Sequence, residues 1–102
     1  MMERITAAQL LDELHIDPSD EETETVDRLI DDASAIIRGS ISDEVEEDEL
    51  LSLSGNVFNR LIQTLATKLY YDRELSNGYG AGIQIMLNQL RAKYQGVKHG
   101  DN

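Results

Sequence analysis

Residues 70–82, YYDRELSNGYGAG, gather the side chains best placed to do chemistry. Two adjacent tyrosines, an Asp-Arg-Glu run and Gly78, Gly80 and Gly82 could form a site, grip a phosphate, or only turn a corner between helices. A phosphate loop needs a preceding strand and a Gly-Lys-Ser/Thr ending, and a dinucleotide loop needs a strand–turn–helix unit. Here a helical apolar pattern precedes the glycines, and their spacing fits neither motif. The expectation is a helix-ending turn with permissive backbone. Tyr70, Tyr71 and Tyr79 belong to a set of only four tyrosines and one phenylalanine. Tyrosine beside Arg73 is a composition favoured at protein interfaces. Tyr71, Arg73, Glu74 and Tyr79, with Arg91 and Lys93 further on, are therefore the candidate contacts to a neighbouring subunit or partner.

Other chemistry finds little support. His15 and His99 are the two histidines, each in an end segment with no recognisable catalytic partner. Carboxylates are abundant, but in a solvated acidic run no pair is set apart by an apolar pocket that would tune its pKa. A calcium loop fails on spacing: counted from Asp17 the sixth position is Glu22 and the twelfth Arg28, and counted from Asp43 the third is Val45. Cysteine is absent, which removes disulfides, thiolate metal sites and cysteine nucleophiles. The expectation is a protein without catalytic residues, cofactor or metal.

The elements that must position these residues read as helices. Thr6 can cap a first helix with Gln9 three residues on, and Ile5 can staple to Leu10. A second start lies at Asp17-Pro18 or at Ser19 with Glu22. Val26, Leu29, Ile30, Ala33, Ile36 and Ile37 then form a buried stripe, which Gly39 is expected to end. Residues 40–54, SISDEVEEDELLSLS, read as an exposed acidic loop with a short β-like alternation in ELLSLS. The longest helix is predicted from about Asn56 to Leu75, where Phe58, Leu61, Ile62, Leu65, Ala66, Leu69 and Tyr70 make a wide apolar face. Ile83, Met86, Leu87, Leu90 and Tyr94 repeat that spacing in a last helix. The expected fold is an all-α bundle of about four helices with an irregular segment near 40–54. It forms a single domain over residues 1–94, followed by a flexible tail over 95–102.

The chain has 102 residues and a net charge of −11, enough for one domain. Residues 1–54 hold seventeen acids and three bases, and residues 55–102 hold three acids and six bases, so −14 is set against +3. Binding DNA phosphates needs clustered Lys and Arg, which this chain lacks. No apolar run approaches the roughly 18 residues of a membrane span, and the amphipathic, acidic start is unlike a signal peptide. These features point to the cytoplasm or a particle assembled there.

Taken in order, ITAAQLLDELHID, DEETETVDRLIDDASAIIRGSIS, FNRLIQTLATKLYYDRE and GIQIMLNQLRAKY resemble the small head–tail connector proteins of tailed phages, often labelled DNA-packaging proteins. The resemblance spans residues 5–94, and it rests on the order and spacing of the segments rather than on any one motif. It implies a non-enzymatic virion protein at the head–tail junction, assembled in the host cytoplasm. Such subunits form a homo-oligomeric ring under the portal protein, a dodecamer by the portal's symmetry, and bridge to the next connector or tail-completion protein. DNA passes through the lumen without specific binding.

Within that picture Glu21, Glu24, Asp31, Asp43, Glu46 and Glu47 are candidates for an acidic channel or for a face toward a basic neighbour. Like charge lets DNA slide past. The C-terminal helix and tail are expected to reach the portal. The rival expectation, motivated by the −14 half alone, is an acidic DNA mimic or regulatory protein that occupies a nucleic-acid-binding partner.

Overall fold

The structure, a computed structural model, describes residues 2–72, 74–76 and 78–99. Four helices follow one another: α1 (Ala7–Glu13), α2 (Asp20–Ile41), α3 (Glu47–Tyr71) and α4 (Ala81–His99). The all-α bundle read from the sequence is the fold, and no strand occurs among the described residues.

The first two helices start where their caps put them. Thr6 Oγ1 accepts from the Gln9 N–H at 3.2 Å, and the Gln9 carboxamide accepts from the Thr6 N–H at 2.9 Å, which completes a capping box. Of the two starts open to α2, Ser19 is the one used. Its hydroxyl accepts from the Glu22 N–H at 3.1 Å, and Asp20, Glu21 and Glu22 occupy the positive end of the helix dipole. α2 passes Gly39 and ends at Ile41. Glycine weakens a helix without stopping it when the next turn is held by other contacts.

Residues 40–54 depart from expectation. The β-like segment is absent: a turn around Asp43 and Glu44 leads directly into α3 at Glu47. The reason lies in Val45, Leu50 and Leu51, all buried, which continue the apolar stripe of Phe58 and Leu61 backward along the helix. Val45 and Leu50 stand at the two positions of a hydrophobic staple. The Glu49 carboxylate accepts from the Glu46 N–H at 3.1 Å, closing the helix start from the other side. What reads as strand alternation is a helix bent at Ser54, whose backbone (φ −161°, ψ 68°) leaves the helical region.

α3 stops at Tyr71, short of Leu75. Asp72 supplies the stop, because its carboxylate accepts from the Glu74 N–H (3.2 Å), the Ser76 N–H (2.8 Å) and the Ser76 hydroxyl (3.2 Å). Such local bonds compete with a further helical turn. Gly78 and Gly80 take φ of +73° and +85° in the connection, as a turn with permissive backbone requires. α4 then begins at Ala81 and continues past Tyr94 to His99, so residues 95–99 are helical where a tail was expected. Residues 100–102 lie outside the described residues.

The core is one cluster to which every helix contributes. Leu10 and Leu11 from α1, Val26, Ile30, Ala33 and Ile37 from α2, Phe58, Leu61, Ile62, Leu65 and Ala66 from α3, and Ile83, Leu87, Leu90 and Tyr94 from α4 are buried together. Each large side chain removed from water contributes about 1.5–3 kcal/mol. α2 and α3 form the central pair, with α1 against α2 and α4 against both α2 and α3.

Candidate functional site

The N-terminal arm crosses the junction between α2 and α3, and there the chain assembles its densest polar network. Arg4 Nη1 donates to Asp31 Oδ1 at 2.9 Å and to Glu47 Oε2 at 2.8 Å. The same Glu47 oxygen accepts from the Ser34 hydroxyl, and Ser34 Oγ accepts from Arg38 Nε at 3.3 Å. Ser34 is wholly buried, and its hydroxyl is satisfied on both sides. Burial pushes the Glu47 carboxyl up, but the bonds from Ser34 and Arg4 outweigh it and hold the group below its ordinary value. Burial likewise lowers Arg4 while its two carboxylate partners raise it, with a net rise. Both groups stay charged across the neutral range.

These residues line an open cleft of about 430 Å³, bounded by Arg4, Asp31, Arg38, Glu46, Glu47 and Asp48. Three of the expected acids, Asp31, Glu46 and Glu47, meet here. Glu21 and Glu24 stand apart on the exposed side of α2, where Glu24 pairs loosely with Arg28 at 3.5 Å, and Asp43 is exposed in the turn before α3. Among the described residues no group of three or more His, Asp or Glu side chains is arranged to hold a metal ion.

Asn59 fixes the same arm from the α3 side. Its Oδ1 accepts from the Ile5 N–H at 2.9 Å, and its Nδ2 donates to the Glu3 carbonyl at 2.9 Å. One carboxamide thus satisfies a donor and an acceptor of an extended backbone. Next to it the arm lies close on the helix: a Cβ at Gly55 would stand 2.7 Å from Met2 Sδ and 3.0 Å from Met2 Cβ. Glycine at the bend of α3 makes room for that approach. Neither Asn59 nor Arg4 was a candidate from sequence, and the only signal was Arg4's rarity, one of three bases in the acidic half.

The expected contact residues fall into two groups. Tyr71 is 67% exposed, with its ring edge-on to Tyr70 at 5.0 Å between centroids. Glu74 is exposed in the turn after Asp72, and Tyr79 packs partly against the core. Tyr71 and Lys68 wall a groove of about 280 Å³ with Thr67, Asp72, Leu75 and Gly78. Arg73 lies outside the described residues. Arg91 and Lys93 sit elsewhere. Arg91 binds the Ser40 carbonyl through Nε (3.1 Å) and Nη2 (2.9 Å), and Lys93 Nζ reaches Ser54 Oγ at 3.4 Å beside the bend of α3. Tyr71 lies seventeen positions along α3 from Ser54, roughly 25 Å at 1.5 Å per residue, so the two groups do not form one patch.

Tyr70 is a structural tyrosine. Its hydroxyl donates to Glu22 Oε2 at 2.7 Å, and that bond, with burial, raises its pKa and keeps the phenol protonated.

Comparison with family models, with curated proteins and with solved structures finds no match for this chain. Among the described residues no helix is long and apolar enough to cross a membrane.

Proposed function

We propose that the chain is a head–tail connector subunit of a tailed phage, forming a ring beneath the portal through which the genome passes. The observation that carries the reading is the separation of charge between helices within one small subunit. α2 exposes Asp20, Glu24, Asp27 and Asp31 along one side, whereas α4 contains no acid at all. A ring needs two different, complementary faces on each copy. The order of the segments that resemble the connector family supports the same reading.

In this proposal the acids of residues 20–32 and 43–49 face the DNA channel or a basic neighbour. The end of α4 reaches the portal, and the opposite side of the ring receives the next connector or tail-completion protein. The test is co-purification with the portal protein of the same genome. The full chain is expected to be captured and a chain ending after Tyr94 is expected to be lost. Capture of neither rejects the connector reading, and capture of both rejects the role given to α4.

A second reading is favoured by the same α2 row, whose carboxylates lie about 6 Å apart at i, i+4 spacing and so offer a DNA-like array of negative charge. A DNA mimic acts as a monomer or dimer on a basic partner, whereas a connector forms rings. Sedimentation of the chain alone and with portal separates the two.

A further inference from the structure

We propose that the groove between α2 and α3 that holds the N-terminal arm is an interface between copies of this chain. Residues 2–14, the arm with α1, leave their own subunit and occupy the same groove of a second copy. The inference stands apart from the connector reading, since it concerns only what one copy offers another.

The groove is built for an extended peptide, and the arm shows which one. Asn59 pairs with the backbone of Glu3 and Ile5, Asp31 and Glu47 take the Arg4 guanidinium, and Gly55 makes room for Met2. Ala7, Leu10 and Leu11 of α1 add the apolar part, all buried. Asp31 is on α2 and Glu47, Gly55 and Asn59 are on α3, so an identical second copy presents the whole set. α1 is seven residues long, and a helix of that length holds its shape only when packed. It is held by whichever copy receives it.

The connection to α2 favours exchange. His15 lies there, exposed, at φ +57°, a conformation in which an L side chain is strained. Pro18 fixes its own φ and biases Asp17 toward extended backbone. When this hinge straightens, His15 leaves the left-handed region and the strain of the closed form is released. Residues 14–19 reach roughly 20 Å when extended, against roughly 10 Å for the length of α1, enough to carry the helix off its own subunit. The contacts given up in one copy are regained in the other. A short, strained hinge beside a terminal element is the setting in which identical chains swap at low cost. Two copies that exchange mutually make a dimer, and a series that donates head to tail closes into a ring.

The native chain has no cysteine, which makes a cross-linking test unambiguous. Glu3 on the arm and Gln63 on α3 line one cleft of about 460 Å³ with Ile5 and Asn59. Glu3 bonds to Asn59 through its carbonyl, so Glu3→Cys keeps the clasp. The double variant Glu3→Cys with Gln63→Cys, treated with a short bismaleimide at low concentration, is expected to link within one chain. The two single variants, one with a C-terminal size tag, are incubated together at high concentration and treated alike. The expected product is the mixed dimer, several-fold above either self-pair. Adding His15→Gly to both is expected to lower that yield, because glycine removes the strain that opens the hinge. Linkage within the double variant but no mixed dimer from the single ones overturns the exchange. Self-pairs as abundant as the mixed product overturn it as well. A double variant that fails to link overturns the arm placement on which the proposal rests. A yield unchanged by His15→Gly overturns the part given to the hinge.

Discussion

Arg91 donates two N–H groups to the carbonyl oxygen of Ser40, fifty-one residues earlier in the chain. The contact ties α4 to the last turn of α2, where carbonyls have no helical partner. A third bond, from Nη1 to Asn88 Oδ1 at 3.1 Å, holds the guanidinium plane in position. A cation at this end also complements the negative pole of the α2 dipole. Arg91 is thus occupied within its own subunit.

Arg91→Ala is expected to lower unfolding stability by about 1.5–3 kcal/mol, the range for bonds that involve a charged group. Arg91→Lys recovers only part of this, because an ammonium lacks the planar fork. Urea unfolding of the three proteins measures it. Equal midpoints for Arg91→Ala and the parent would show that α4 docks without this contact.

Asn59 is the corresponding clasp for the arm. Asn59→Leu removes both bonds to Glu3 and Ile5 and is expected to cost about 1–2 kcal/mol, with faster hydrogen exchange at the Ile5 amide. Asn59→Asp keeps the acceptor for Ile5 and loses the donor to Glu3, so Ile5 protection should survive. If Ile5 exchanges at the same rate in Asn59→Leu, the arm is held by Arg4 alone.

Glu47 gives the arm a pH dependence with a definite sign. Its folded carboxyl lies below the ordinary value of 4.5, so the unfolded chain binds its proton first on acidification. The stabilisation is complete above pH 4.5 and drains as pH falls through the lower, folded value. Glu47→Gln should therefore be less stable than the parent at neutral pH, by about 1 kcal/mol since an amide still accepts from Ser34. The difference should close in acid. A gap that widens as pH falls would contradict the assigned network.

His15 holds a strained cap. Its N–H bonds to the Asp12 carbonyl at 3.1 Å, and the Ile16 N–H bonds to the Leu11 carbonyl at 3.0 Å, the two bonds of a Schellman ending. The position has φ +57°, which favours glycine. His15→Gly is expected to stabilise the protein by about 0.5–1 kcal/mol in thermal or urea unfolding. A loss of stability would mean that the imidazole contributes more than its backbone strain costs.

What was legible in the sequence was local. Thr6 with Gln9 marked the first helix start, and the second was narrowed to Asp17-Pro18 or Ser19 with Glu22, because a cap is decided within four residues. The 3.6-residue stripes of α2, α3 and α4 marked the core for the same reason. Residues 40–54 were not legible, since the α3 start uses Glu46 and Glu49 rather than a Ser, Thr, Asp or Asn cap, and the bend at Ser54 breaks the helical period. The polar contacts that fix the arm and α4 were also hidden. Arg4 with Glu47, Asn59 with Ile5 and Arg91 with Ser40 join residues 43 to 54 positions apart, and only packing brings them together. The acids that read as one charged surface divide physically: Asp31, Glu46 and Glu47 line the cleft beside Arg4, and Asp20, Glu21, Glu24 and Asp27 lie exposed along α2.

The most direct measurement of the central claim is electron microscopy of the full chain mixed with the portal protein of the same genome. The connector account predicts added density in a closed ring on one end of the portal, with copy number matching the portal's symmetry. Portal particles with bare ends, beside a chain that remains monomeric at every concentration, would contradict it.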